Sequence, residues 1–98
     1  MEERGRPPCV RLLLVCCNGR GPGEEACGNR GSAEVHRILK ERVRAKGLQG
    51  RCRVSRSLCL GLCAEGPVVA VLPENAWYSR VAPSDAEGIA RKWIDPLA

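Results

Sequence analysis

The chain has 98 residues, a formal net charge of +5, seven cysteines and only three aromatic residues, with no phenylalanine. That length fits one domain with a thin core, and its longest apolar run, residues 12–17, is far too short to cross a membrane as a helix. Thirteen of the sixteen basic residues are Arg, dispersed among acidic residues, and with so few rings for base stacking they are read as a solvated surface, not a nucleic-acid interface.

Residues 1–9 are charged and bear Gly and Pro, and are expected to form a frayed N-terminal segment ahead of a single domain over residues 10–98. They lack the apolar stretch of a secretory signal, so a cytoplasmic location is expected. Cysteines there bind metals or do chemistry more often than they pair as disulfides, and an odd count leaves an all-disulfide scheme one partner short. Residues 10–15 (VRLLLV) form a short, nearly continuous apolar run, as in a buried strand. Residues 19–31 hold five glycines and a proline and read as a loop. Ser32 reads as the N-cap of a helix over residues 33–46, whose Val35, Ile38, Leu39 and Val43 share a face, with Gly47 as its stop.

Residues 51–57 alternate, with Cys52 and Val54 on one side and Arg51, Arg53 and Ser55 on the other, which predicts a half-buried strand. A second loop follows over residues 58–67. Residues 68–72 (VVAVL) predict a strand, residues 73–75 a turn, and residues 77–81 the return strand of a hairpin. Ser84-Asp85-Ala86-Glu87 has the form of a capping box, opening a helix whose Ala86, Ile89, Ala90 and Trp93 share a face and which Asp95-Pro96 ends. The order β-α-β-β-β-α predicts an α/β fold: a thioredoxin-like, four-stranded mixed sheet with flanking helices. If the first two strands are parallel, their crossover is right-handed.

Four cysteines fall in the two loops or at a strand–loop junction. Cys16 follows the first strand, Cys27 closes the first loop, and Cys59 and Cys63 share the second. Loops at strand ends can curl around an ion or cluster where strand interiors cannot. Within Cys59-Leu60-Gly61-Leu62-Cys63, Gly61 permits a tight curl and the leucines supply an apolar shield. Four thiolates suit zinc or an iron–sulfur cluster. Ten residues separate Cys16 from Cys27, which suits a two-iron cluster better than the paired short knuckles of structural zinc; zinc and a metal-free fold remain as alternatives.

Several stretches also resemble a known family: Val15-Cys16-Cys17-Asn18-Gly19-Arg20, the segment from Cys27-Gly28-Asn29-Arg30-Gly31-Ser32 to Val35, the segment from Cys59 to Val69, and Trp77-Tyr78 with Val81-x-Pro83-x-Asp85. Together they look like the thioredoxin-like [2Fe–2S] ferredoxins, relatives of the small iron–sulfur subunit of NADH dehydrogenase, over roughly residues 10–94. The resemblance implies one [2Fe–2S] cluster held by Cys16, Cys27, Cys59 and Cys63, one-electron transfer between redox partner proteins without an enzymatic activity of its own, and commonly a homodimer. Two features depart from the family's habits. Cys17 adjoins the first ligand and competes with Cys16 for that role, and the chain is basic where such ferredoxins are often acidic. With four thiolates, two ferric ions and two sulfides the formal charge would stay near roughly +3, which implies a redox partner with an acidic docking surface.

Other residues take plainer readings. Cys9 and Cys52 are small hydrophobes, His36 is a surface or boundary residue, and Trp77 and Tyr78 belong to the hairpin and core. A Rieske-type centre needs two histidines and the chain has one. A thiol oxidoreductase of this fold needs a C-x-x-C after the first strand, where only Cys16-Cys17 stands. A zinc-stabilised thioredoxin-like interaction module is the alternative function.

Overall fold

The computed structural model describes residues 1–3, 5, 9–16, 31–57 and 67–98. Its elements are β1 (Arg11–Cys16), α1 (Ser32–Ala45), β2 (Cys52–Ser57), β3 (Val69–Leu72), β4 (Ala76–Tyr78) and α2 (Pro83–Trp93), followed by a 3-10 turn at Asp95–Leu97. The strands form one sheet in the order β2-β1-β3-β4. β1 runs parallel to β2, with Arg11 opposite Cys52 and Cys16 opposite Ser57. It runs antiparallel to β3, with Leu12 opposite Leu72 and Val15 opposite Val69, and β3 and β4 form the hairpin. The predicted mixed α/β sheet is present, parallel on one side of β1 and antiparallel on the other.

Alternation along the strands sends Leu13 and Val15, Cys52 and Val54, and Val69 and Val71 to one face. There they meet Val35, Leu39 and Val43 of α1 and Ala86, Ile89 and Ala90 of α2 in one continuous core. Both helices therefore cover the same face, and they pack against each other. Arg42 of α1 joins them by pairing with Glu87 and, at 3.3 Å, with Asp95.

The elements depart from expectation at their ends, each time for a local reason. α1 begins at Ser32 because Gly31, at φ +87°, takes the cap position in the left-handed region that glycine enters freely. Its carbonyl accepts the amides of Glu34 and Val35, both at 3.1 Å, and Ser32 is left inside the helix. α2 begins at Pro83, not beyond Ser84, because proline lacks the N–H that the first helical position cannot use. Ala82 is the cap residue, and its amide donates to the Asp85 carboxylate at 2.9 Å, the returning half of a capping box. β4 stops at Tyr78, short of the predicted residue 81, before Arg80 at φ +51°. The Leu72–Pro73 peptide is cis; the Gly66–Pro67 bond lies outside the described residues.

Candidate metal centre

Cys16 is the last residue of β1 and is 1% exposed. It packs with Val68 in a small buried cluster separate from the main core. Its backbone amide donates to the Val68 carbonyl at 3.0 Å, and its strand partner is Ser57. Cys27, Cys59 and Cys63, and the rival Cys17, lie outside the described residues. Among the described residues no group of three or more Cys, His, Asp or Glu side chains is gathered where it could hold a metal ion.

The topology fixes where the two loops containing those cysteines attach. Residues 17–30 run from Cys16 to Gly31, the cap of α1; residues 58–66 run from Ser57, opposite Cys16, to Pro67 and Val68, whose carbonyl holds the Cys16 amide. The Pro67 carbonyl accepts the amide of Val81, just before α2, at 3.0 Å. A Cβ on Gly31 would stand 3.7 Å from Pro83 Cγ. The feet of both loops and the N-termini of both helices thus meet at one end of the sheet. Helix N-termini favour negative charge, and cysteine thiolates are soft donors suited to iron–sulfur clusters and zinc.

Ser32 stands at the same end. It is fully buried, on the stripe that continues through Val35, Leu39 and Val43. Among the described residues its Oγ is the one buried side-chain nitrogen or oxygen without a hydrogen-bond partner. The Ser32-to-Val35 spacing, which places it on the apolar face of α1, was the signal in the sequence; reading it as a cap hid that. A buried thiol suits a group with soft ligands at this end of the sheet, although strand alternation sends the Cys16 side chain, with Val68, to the face away from the two helices.

The remaining described cysteines stand elsewhere. Cys52 is 1% exposed on the core face of β2, and burial pushes its thiol up to about 11, with nearby Arg11 opposing the rise. That disfavours the thiolate needed for reaction or ligation. Cys9 is half-buried before β1. His36 is half-buried on α1, and desolvation first, then Lys40 and Arg56, lower its pKa below the usual 6.5. Of the hairpin aromatics, Tyr78 packs on the core and accepts the Trp93 indole N–H at 2.8 Å. Trp77, on the opposite face, is 47% exposed, so the core reading holds for one of the two.

A band of cations runs along the α1–β2 edge, from Arg53, opposite Leu12 near the start of β1, to Arg56, opposite Val15. Lys40 and Arg44 of α1 and Arg53 and Arg56 of β2 are all exposed. Lys40, Arg44 and Arg53 line a groove of about 180 Å³ between α1 and the edge strand β2, with Gln49 beside them. Arg11, Arg37, Arg42 and Arg91 pair with carboxylates, whereas among the described residues no ion pair engages these four. The sequence expectation of a dispersed, solvated Arg surface missed this concentration, because it depends on which acids fold beside which bases.

No protein-family model matches the chain. It is 34% identical over 85 residues to a protein from Aquifex aeolicus named "Ferredoxin, 2Fe-2S", covering 84% of this chain and 77% of that one. A protein of the same name from Clostridium pasteurianum is 31% identical, covering 85% and 83%. Among solved structures, the wild-type thioredoxin-like [2Fe–2S] ferredoxin of Aquifex aeolicus superposes with a TM-score of 0.79 at 32% identity, over 86% of this chain and 84% of that one. Another structure of a thioredoxin-like [2Fe–2S] ferredoxin from that organism gives 0.82 at 30% identity, over 91% and 84%. At this identity and coverage, and with these superpositions, the chain belongs to the thioredoxin-like [2Fe–2S] ferredoxin family.

Proposed function

We propose that the protein is a one-electron carrier that holds one [2Fe–2S] cluster through Cys16, Cys27, Cys59 and Cys63 and passes electrons between redox partner proteins, without catalysing a reaction on a substrate of its own. The observation that carries this reading is that residues 17–30 and 58–66 attach at one end of the sheet, beside Cys16. Cys59 is two residues along the chain from Ser57, the strand partner of Cys16. Cys27 is four residues from Gly31, itself beside the start of α2. Cys16 is preferred over Cys17 because it is the residue that β1 buries at this end.

When bound, the cluster supplies the redox chemistry, one electron at a time. The chain's residues would hold and shield it: Cys16 and Val68 are buried together at the end of β1, and the N-termini of α1 and α2, at the same end of the sheet, carry partial positive charge that favours an anionic group.

The partner is inferred to dock an acidic surface on the exposed cations Lys40, Arg44, Arg53 and Arg56, a band that reaches within three residues of Cys59. A homodimer is supported by the sheet face opposite the helices, where Leu12, Leu14 and Leu72 are half-buried and Trp77 is exposed. No described helix is long and apolar enough to cross a membrane; a reducing, cytoplasmic setting is inferred from cysteines that serve as ligands.

The test is a visible spectrum of anaerobically purified protein before and after dithionite, with iron, sulfide and zinc measured on the same sample. About two irons and two sulfides per chain, with colour bleached on reduction, are expected. Cys59→Ser and Cys63→Ser should abolish or severely disturb the spectrum, while Cys9→Ser and Cys52→Ser leave it intact. A colourless protein with one tightly held zinc would overturn the carrier in favour of the zinc-stabilised module, and an unchanged Cys59→Ser spectrum would overturn the ligand set.

A further inference from the structure

β2 is an edge strand: the sheet runs β2-β1-β3-β4, and among the described residues no strand lies beyond β2. The Arg51 carbonyl faces β1, where it accepts the amides of Val10 and Arg11 at 2.8 and 3.1 Å. Peptide groups alternate in direction along a strand, so those of Arg53 and Ser55 also face β1, and those of Cys52, Val54 and Arg56 face the open edge. The Leu48 carbonyl takes the Cys52 amide at 2.9 Å, and His36 of α1 meets the Val54 backbone. The Cys52 carbonyl, the Val54 N–H and the Arg56 peptide groups are left facing outward. Beside them runs the groove of about 180 Å³, in which Val43, Cys52 and Val54 form an apolar floor. Lys40, Arg44, Arg53 and Gln49 line its rim, with no carboxylate among the lining residues. Lys40 and Arg44 stand one helical turn apart, an arrangement of like charges that costs a helix stability. An edge bearing Arg53 and Arg56 repels a second copy of itself, as charged edges do, and attracts acids.

We propose that the edge of β2 takes up an extended acidic segment of the redox partner as an added strand, its backbone pairing with the outward peptide groups of β2 and its carboxylates with Lys40, Arg44, Arg53 and Arg56. This rests on the reading that an acidic partner docks on this band of cations, and supplies the mode of docking. Main-chain hydrogen bonds give such an added strand its affinity, and the side chains along the edge select its sequence. Side chains of the new strand alternate between its two faces. Cations stand on both sides of the edge, Arg56 with Cys52 and Val54 on the helix side of β2 and Arg53 at the alternate position, so acids on either face of the strand find a partner.

The experiment follows a fluorescent peptide of alternating Glu and Thr binding to the full chain by anisotropy, with amide hydrogen exchange of the complex read by mass spectrometry. The peptide should bind and slow exchange at Val54 and Arg56. The same peptide N-methylated at every residue keeps its charge and loses its amide donors, and should bind about tenfold more weakly. Arg44→Glu/Arg53→Glu should also weaken binding about tenfold, and Arg91→Glu/Lys92→Glu, an equal change of net charge on α2, much less. Equal binding of the plain and methylated peptides, or unchanged exchange at Val54 and Arg56, would overturn strand addition while leaving acidic docking in place. Equal losses in the two double variants would overturn the placement on this edge. A single-stranded oligonucleotide of equal charge that binds more tightly than the peptide would assign the edge to nucleic acid and overturn the proposal. Iron, sulfide and zinc measured on the same sample report separately on the carrier reading, so a protein that holds only zinc and still binds the peptide would overturn that reading and not the docking.

Discussion

Arg11 shows how much one side chain can join when it lies where a strand starts. Its guanidinium, 14% exposed, grips both carboxylate oxygens of Glu74 in the β3–β4 turn at 2.6 and 3.1 Å. It donates to the Trp93 carbonyl at 2.6 Å and sits 5.1 Å from the Trp93 ring centroid. One residue thus ties β1, the hairpin and the end of α2. A planar fork with a stacked face does this and an ammonium cannot. Arg11→Ala should lower the free energy of unfolding by about 2 kcal/mol near neutral pH in denaturant titrations, and Arg11→Lys should recover little of it. The pair's hydrogen bond holds the Glu74 carboxyl below its ordinary 4.5. The pair's stabilisation is therefore full above about pH 4.5 and is lost as pH falls through the lowered pKa, so the deficit of Arg11→Ala should shrink in acid. Because Arg11 opens β1 and Cys16 closes it, the variant should keep a normal cluster spectrum; a changed spectrum would contradict this separation of the two ends. None of these partners was legible in the sequence, where Glu74 and Trp93 lie 63 and 82 residues away. Cys52 was legible, because strand alternation alone puts it on the buried face with Val54.

At the scale of the elements, periodicity revealed which segments are helices and strands, while backbone conformation decided where they begin. Val35, Leu39 and Val43 lie in the core as the spacing required. The start of α1 turned on Gly31, whose left-handed φ outcompeted Ser32 for the cap, and the start of α2 turned on Pro83. Gly31→Ala isolates this effect. The added Cβ would meet Pro83 Cγ at an ordinary 3.7 Å, so the cost is conformational: about 1–2 kcal/mol for an L-residue in the left-handed region. Gly50→Ala, outside that region and with nothing within 4 Å, should cost little by comparison. Equal melting temperatures for the two variants would show that the cap of α1 does not depend on the left-handed residue. Cys16 was legible as the end of β1, while the expected loops fall almost wholly outside the described residues. That residues 17–30 and 58–66 attach at one end of the sheet was legible only through the β-α-β order, because parallel pairing of β1 with β2 is what brings Ser57 to Cys16.

Across the whole molecule the charges are sorted, and that sorting sets the last expectation. Pairing with Glu34, Glu41, Glu74, Glu87 and Asp95 engages Arg37, Arg11, Arg42 and Arg91. The α1–β2 edge keeps Lys40, Arg44, Arg53 and Arg56 exposed to solvent. A net charge of +5 would act alike on all sides if it were evenly spread, whereas a band concentrated along the α1–β2 edge, with Arg56 one residue before Ser57, would steer anions to that edge. The reduced protein should therefore pass its electron to an anionic cobalt chelate faster than to cobalt hexaammine, with a rate that falls as salt rises. Lys40→Glu/Arg56→Glu should slow the anionic oxidant by about tenfold and flatten its salt dependence. Arg91→Glu/Lys92→Glu makes the same change in net charge on exposed positions of α2 and should alter the rate much less. Stopped-flow traces over a range of ionic strength, with the cluster content of each variant fixed by its visible spectrum, would read both. Equal effects from the two double variants would mean that net charge alone governs the encounter and that the α1–β2 edge has no privileged part in docking; unequal effects would place the partner on the side of the molecule where β2 runs into the loop of Cys59 and Cys63.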